Sequence, residues 1–374
     1  MCDTMGMIEK AGTFFGKNSD RQPQEPQVTE WRPAATHTEA KVKCTYIEVD
    51  QAKYTHGTLL SRPTWLWGAE IGVNDQGVVI GNEALFTTNQ YADTGLTGMD
   101  LLRMGLERSE TAQGAMETII ELLEQYGQGG NCGYQSELFY DNAFLIMDRK
   151  SLYVLETVGK QWAYKKLEKA AISNCISLGD DADAYSGERV DFHSFAHPEQ
   201  EPMFGGRERR ALSQAALANG GDIATIFKAL RNHREGFTLP VTEKCSCNVC
   251  LHAGPSEGSQ STASLAADLQ EKQTIVYVTG GALPCLSLYK PYVLDEYSAS
   301  LEAYSLFDQA AWETHDRWVA KMAQAQPPAE FYAERDALEQ SWHKQVPSLC
   351  GKDSKAFLQA CIEEEKRFYE KWTK

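Results

Sequence analysis

Residues 1–20 read MCDTMGMIEKAGTFFGKNSD, and this stretch decides the fold. Small and apolar residues run from Cys2 to Ile8, Glu9-Lys10-Ala11-Gly12 supplies a turn, and TFFGKN runs back, the pattern of a β-hairpin. A turn centred near Lys10 and Ala11 makes cross-strand partners sum to about 21, so Cys2 faces Asn18, Ser19 and Asp20. The hairpin therefore brings a carboxylate and an amide to a cysteine that directly follows the initiator methionine. Trimming of Met1, efficient before a small residue, places a free α-amine on the residue that carries the thiol. An α-amine has a pKa of roughly 7.7–8.0 and a thiol about 8.5. The amine can thus take the thiol proton near neutral pH and return it to a leaving group, with no histidine. Asp20 would hold the α-ammonium, and Lys17 or a nearby arginine would favour the thiolate. Asn82 and Asn174 would turn side-chain N–H groups toward a developing oxyanion. A cysteine at position 2 is by itself more often incidental than catalytic, so its neighbours have to decide.

Working outward, GAEIGV and GVVIGNEAL flank Asn74-Asp75-Gln76-Gly77, a second hairpin that ends near Asn82. Between residues 98 and 127 the apolar period becomes helical, with Ser109 or Thr111 as a cap and Gly127 as a stop. Strands resume as AFLIM, LYVLET, WAYKKL and AAISNCISL, and residues 179–206 read as a long surface loop. RERRALSQAALA and IATIFKALRNH have helical spacing, QTIVYVTGG and SLYKPYVL read as strands, and residues beyond 300 read as helices broken at QPPAE. Antiparallel sheet packed on sheet with helices outside satisfies that order, an α+β class.

Composition narrows the function. With 36 Lys+Arg against 52 Asp+Glu, the net charge is −16, which disfavours nucleic acid as a partner. No stretch approaches the roughly 18 apolar residues of a membrane span. There is no basic-then-apolar secretory signal, and no hydrophobic segment upstream of Cys2 of the kind a lipid-anchored cysteine needs. Ten scattered cysteines fit reduced thiols in a cytoplasmic protein. No glycine-rich nucleotide-binding loop is present.

MCDTMG with FFGKNSDR, KVKCTYIEV, SRPTWLWGAEIGVNDQGVVIGNEAL, GMDLLRMGLERSETA, LLEQYGQGGN and VLETVGKQWA resembles the secernin family. That family belongs to the N-terminal nucleophile hydrolase clan, with bacterial dipeptidases, choloylglycine hydrolase and penicillin V acylase. The likeness is dense from residue 2 to about 178 and returns in CLHAGPSEGSQSTASL and SLYKPYVL. It implies a four-layer αββα sandwich over residues 1–295 with a helical segment, 296–374, packed on it. It also implies Cys2 as nucleophile, Asp20 beside its amine, and Asn82 and Asn174 as the oxyanion and amine-orienting asparagines. The acylases carry arginine where this chain has Lys17, so a bidentate contact is lost. Their second active-site arginine is placed at Arg207 or Arg210, in GRERR.

Cys245, Cys247, Cys250 and His252 offer four ligand atoms in eight residues, but structural zinc sites usually combine two separated pairs. A reduced thiol cluster is the preferred reading. His252 either lines the cleft or is a satisfied structural histidine. Trp65 and Trp67 form either an aromatic wall for substrate or core packing. A papain-type Cys–His pair has no local signature.

The expectation is a cysteine-type N-terminal nucleophile hydrolase for amide bonds of small molecules, most plausibly a dipeptidase. It needs only Met1 removal, takes a small peptide or amide substrate, uses no metal or organic cofactor, and forms a homo-oligomer. The alternatives are a secernin-like interaction protein without turnover, and an acylase or acyltransferase on non-peptide amides.

Overall fold

The hairpin is the centre of the molecule: β1 (Cys2–Glu9) and β2 (Gly12–Arg21) pair antiparallel with Cys2 opposite Ser19 and Thr4 opposite Lys17. This is the register set by the turn position. The computed structural model describes residues 1–242, 246–254, 258–299 and 301–374. Successive side chains on β1 alternate as a pleated strand requires. Thr4 reaches Glu83 on the larger sheet, while Met5 and Met7 join the apolar layer beneath the helices on the other side.

After β2 come β3 (Gln27–Arg32), β4 (Thr58–Pro63), β5 (Ile71–Asn74) and β6 (Val79–Leu85). The β5–β6 turn closes because Asn74 Oδ1 accepts the N–H groups of Gln76 and Val78, and Gly77 takes φ 82°. Helix α1 (Gly98–Glu107) starts in a capping box of Thr97 and Asp100, and α2 (Ala112–Tyr126) starts on Thr111. Each such cap is worth about 1 kcal/mol. Then follow β7 (Asp141–Met147), β8 (Leu152–Val158), β9 (Gln161–Leu167) and β10 (Lys169–Ser173). The loop at 179–206 carries only β11 (Ala184–Tyr185) and two short helical turns. The rest is α3 (Gly206–Leu217), α4 (Ile223–Leu230), β12 (Gln260–Leu269), β13 (Thr274–Val278), β14 (Lys290–Leu294), β15 (Tyr304–Phe307), α5 (Gln309–Met322), α6 (Ala329–His343) and α7 (Gly351–Trp372).

Two large antiparallel sheets result, beside two small two-stranded ones at 35–36 with 54–55 and 41–43 with 48–50. The smaller runs β10-β1-β2-β12-β13-β14 and the larger β11-β9-β8-β7-β6-β5-β4-β3-β15. Phe15, Leu145, Leu152 and Leu265 belong to the core between them. Helices α1 and α2 cover the outer face of the larger sheet with Leu102, Leu106, Ile119 and Leu123. Helices α3 and α4 cover the smaller with Leu217, Ile226 and Leu230. The four-layer αββα sandwich is therefore the observed fold. Among the described residues, no helix is long and apolar enough to cross a membrane.

Some expectations change. Residues 304–307 form a strand and not part of a helix, pairing with β3 at the edge of the larger sheet. The C-terminal segment, separated at residue 295 by the sequence reading, therefore supplies an edge strand to the sandwich as well as helices. Strands β3, β4 and β12 were not legible as strands.

Candidate active site

Cys2 opens β1 and is 5% exposed, on the wall of a cavity of about 250 Å³ that Asp20, Asn82, Glu70 and Tyr140 also line. Met1 lies in the same cavity and adds one more antiparallel rung to the hairpin. Its amino group donates to Asp20 O at 2.8 Å, and the Asp20 N–H donates to Met1 O at 2.8 Å. The Cys2 N–H donates to Asn174 Oδ1 at 2.7 Å. The Asp20 N–H lies 3.5 Å from Cys2 Sγ. Burial pushes the Cys2 thiol up to about 12, against the pull of the Lys17 ammonium. With Met1 attached the sulfur is therefore a protonated, unreactive thiol near neutral pH.

Lys17 is fully buried, 3.3 Å from Glu83. Burial alone would lower its pKa, but the charges it can face, a Cys2 thiolate and the Glu83 and Glu70 carboxylates, outweigh that and raise it. Glu83 also accepts from Thr4 Oγ1, and burial pushes its carboxyl up to about 8 even though Lys17 opposes the shift. Lys17 passes through a gap that Gly81 leaves, since a Cβ there would lie 2.6 Å from Lys17 Cδ.

Asp20 is where the hairpin register places it. Ser261 Oγ donates to its Oδ1 at 2.6 Å, and its Oδ2 is enclosed with no hydrogen-bond partner. Burial pushes Asp20 up to about 7, with Asp3 adding to the shift and the amino terminus and Arg209 opposing it.

Asn174 and Asn82 differ. Asn174 Nδ2 donates one N–H to Ala84 O at 2.9 Å, and its Oδ1 accepts from Cys2 N. Asn82 is fixed by a relay. Gln128 Nε2 donates to Gly159 O at 2.8 Å, Asn142 Nδ2 donates to Gln128 Oε1 at 2.8 Å, and Asn82 Nδ2 donates to Asn142 Oδ1 at 3.2 Å. Its other contact is the Met99 sulfur at 3.5 Å, a weak acceptor, and its Oδ1 is enclosed and unpartnered.

The remaining sequence candidates lie elsewhere. Arg207 is largely exposed and pairs with Glu201 at 2.7 Å. Arg210 Nε donates to Ala171 O at 3.0 Å and lines a separate cavity with Lys165 and Asp181. The arginine that reaches Cys2 is Arg209, between them and fully buried. Its fork donates to Asp3 Oδ2 at 2.8 Å, Ser173 Oγ at 3.0 Å and Asn174 Oδ1 at 2.6 Å, with Cys2 O at 3.4 Å. The phase of α3 decides this, because Gly206, Arg209, Ser213 and Leu217 form its buried stripe. Trp67 packs under Arg103, 4.0 Å from the ring centroid, and takes the core role. His252 sits outside the cavity, 3.1 Å from Cys285 Sγ.

Residues that sequence reading missed complete the cleft. Arg21 is gripped by Glu25 at 2.5 and 3.0 Å and by Glu70 at 3.5 Å. Glu70 Oε2 is enclosed without a partner. Phe86, stacked on Phe204 at 4.1 Å and edge-on to Tyr140 at 6.4 Å, forms an apolar wall.

No family model matches the chain. A solved structure with a similar fold is the C2A mutant of the conjugated bile acid hydrolase from Clostridium perfringens. It has 12% identity and a TM-score of 0.50 over 83% of this chain and 98% of that one. The penicillin V acylase from Agrobacterium tumefaciens has 9% identity and a TM-score of 0.48 over 82% and 91%. The first likeness carries the fold assignment: this chain has the N-terminal nucleophile hydrolase fold.

Proposed function

We propose that this protein is a cysteine-type N-terminal nucleophile hydrolase that cleaves amide bonds of small substrates, a secernin-like dipeptidase with Cys2 as nucleophile. The observation that carries the reading is the 2.7 Å hydrogen bond from Cys2 N to Asn174 Oδ1. It holds in place the nitrogen that becomes an α-amine once Met1 is removed. The fold shared with a conjugated bile acid hydrolase crystallised as a C2A mutant supports the same reading.

With Met1 gone, the α-amine takes the thiol proton, and the Lys17 ammonium stabilises the sulfur anion. The sulfur attacks the substrate carbonyl carbon. The resulting oxyanion takes the Asp20 N–H, which Met1 O no longer occupies, and the Asn82 Nδ2 proton that rests on the Met99 sulfur in this structure. Donors of this kind are worth about 2.7–4 kcal/mol each. The C–N bond breaks as the α-ammonium returns its proton to the leaving amine, and a thioester remains on Cys2. Water then gives a proton to the α-amine and attacks the thioester, which restores the thiol. Asn174 and Asp20 Oδ2 orient the amine through both steps.

Two features favour a dipeptide. Met1 already pairs with Asp20 through both backbone groups, so peptide main chain fits this cleft. Glu25 and Glu70 outnumber Arg21, and the unpartnered Glu70 Oε2 suits the ammonium of a free amino terminus. The test compares a dipeptide with its N-acetylated form. Cleavage of the free dipeptide, reduced at least tenfold by acetylation and selectively by Glu70→Gln, is the expected result. Cleavage confined to N-acyl amides would end the dipeptidase reading and leave the acylase. No turnover by protein shown to start at Cys2 would favour the interaction reading.

A further inference from the structure

On the far side of Ser261 from the cleft, four potential ligand side chains meet that the proposed reaction does not use. His233 follows α4, Cys250 and His252 lie in the irregular segment before β12, and Cys285 lies in the loop between β13 and β14. One ligand atom from each lies within 4.8 Å of all the others. His252 Nε2 is 3.1 Å from Cys285 Sγ and 3.6 Å from Cys250 Sγ. Cys250, His252 and Cys285 are buried. His233 Nε2 is enclosed without a hydrogen-bond partner.

We propose that His233, Cys250, His252 and Cys285 bind one zinc ion as a closed, structural two-cysteine, two-histidine site. Zinc binds sulfur at about 2.3 Å and imidazole nitrogen at about 2.0–2.1 Å, so the edges of its tetrahedron run to roughly 3.3–3.8 Å. The approaches of His252 Nε2 to Cys285 and Cys250, 3.1 and 3.6 Å, lie near that range, and the others need only modest contraction. Two thiolates and two imidazoles suit zinc better than magnesium or calcium, which take oxygen. Four protein ligands leave no open position, which marks a structural site.

The surroundings are built to hold the ligands. Cys250 N donates to Asn232 O at 3.0 Å, next to His233. Arg335 donates to Cys285 O, and Arg231 Nε donates to Pro284 O at 2.9 Å. His233 stacks on Phe237 at 4.1 Å. The zinc would join three stretches of chain that share no helix or strand. It would also brace the cleft, because Leu251, between two ligands, donates to Ser261 Oγ at 3.0 Å, and that hydroxyl holds Asp20. The sequence reading grouped Cys250 and His252 with Cys245 and Cys247, and found no distant second pair to complete a site. Cys245 lies outside the described residues. Cys247 Sγ lies 3.3 Å from where a Cβ on Gly205 would stand and is not among the four.

Elemental analysis of protein purified without added metal or chelator tests the proposal. One zinc per chain is expected, lost in Cys285→Ser and His252→Gln and retained in Cys350→Ser, whose cysteine is exposed. Because the ligand variants can misfold, cobalt(II) is also titrated into chelator-stripped wild-type protein. The expected readout is the visible absorption of tetrahedral cobalt with a thiolate charge-transfer band, saturating at one equivalent. Zinc, and not magnesium, should restore the melting temperature lost on stripping. Zinc well below stoichiometry together with an octahedral or absent cobalt spectrum would overturn the proposal. So would a Cys250–Cys285 disulfide in the freshly purified protein.

Discussion

Cys2 and Cys285 are both almost fully buried, yet their surroundings prepare them for opposite uses. Cys2 faces a cavity, a lysine and a carboxylate with an unpartnered oxygen. Burial pushes its thiol up to about 12, so the proposed reaction needs the base that freeing its own nitrogen would supply. Cys285 instead shares a cluster with two imidazoles and a second thiol. Burial is common to both. In the proposed roles, what sorts nucleophile from ligand is whether the neighbours leave room for a substrate or close around an ion.

The largest effect that tests this contrast is on turnover. Cys2→Ala should lower kcat by at least about three orders of magnitude, as loss of a nucleophile does elsewhere. Cys285→Ser should leave kcat within about tenfold while lowering the melting temperature. Steady-state kinetics beside thermal melts separates the two, and the reverse pattern would exchange their roles.

The next effect is on stability. Arg209→Met strips the buried cation from Asp3, Ser173 and Asn174, and should cost about 3–5 kcal/mol, as a broken buried pair does. Arg207→Met, at an exposed position, should stay within about 0.5 kcal/mol. Urea titration of both variants gives the comparison.

A smaller effect falls on positioning. A Cβ on Gly98 would lie 1.8 Å from Asn142 Oδ1 and 2.8 Å from Asn82 Nδ2, so Gly98→Ala should push the Asn82 relay apart. About a tenfold loss in kcat with little change in KM is expected from rate measurements. An unchanged kcat would remove Asn82 from the oxyanion role.

The smallest effect is on pH dependence. Burial raises Glu83 from 4.5 to about 8, so between those values the folded chain keeps a proton that the unfolded chain has released. This contribution to stability is full below pH 4.5 and is lost as pH rises toward 8. Glu83→Gln removes the titration, so its melting temperature should fall less than the wild type's between pH 5 and pH 8. Parallel curves would contradict the raised carboxyl.

The sequence exposed what local rules control. The turn at Glu9–Gly12 set the hairpin register and brought Asp20 to Cys2, and the helical period with a cap at Thr111 and a stop at Gly127 marked α2. It hid what depends on helix phase or distant chain. Arg207 and Arg210 flank the buried arginine by one or two residues, and only the 206-209-213-217 stripe of α3 singles out Arg209. QSTASLAADL makes β12 without an apolar run, because it is covered on both sides and its small polar residues find partners such as Asp20 and Asn18. His233 and Cys285 have no local pattern linking them to Cys250 and His252. Only the packing of three loops unites them.

The most direct measurement is an intact mass spectrum of native protein before and after an electrophilic amide analogue, with the adduct mapped by fragmentation. A chain beginning at Cys2 that gains one adduct on that residue is the predicted result. Quantitative retention of Met1, or an adduct on any other cysteine with Cys2 unmodified, would contradict it.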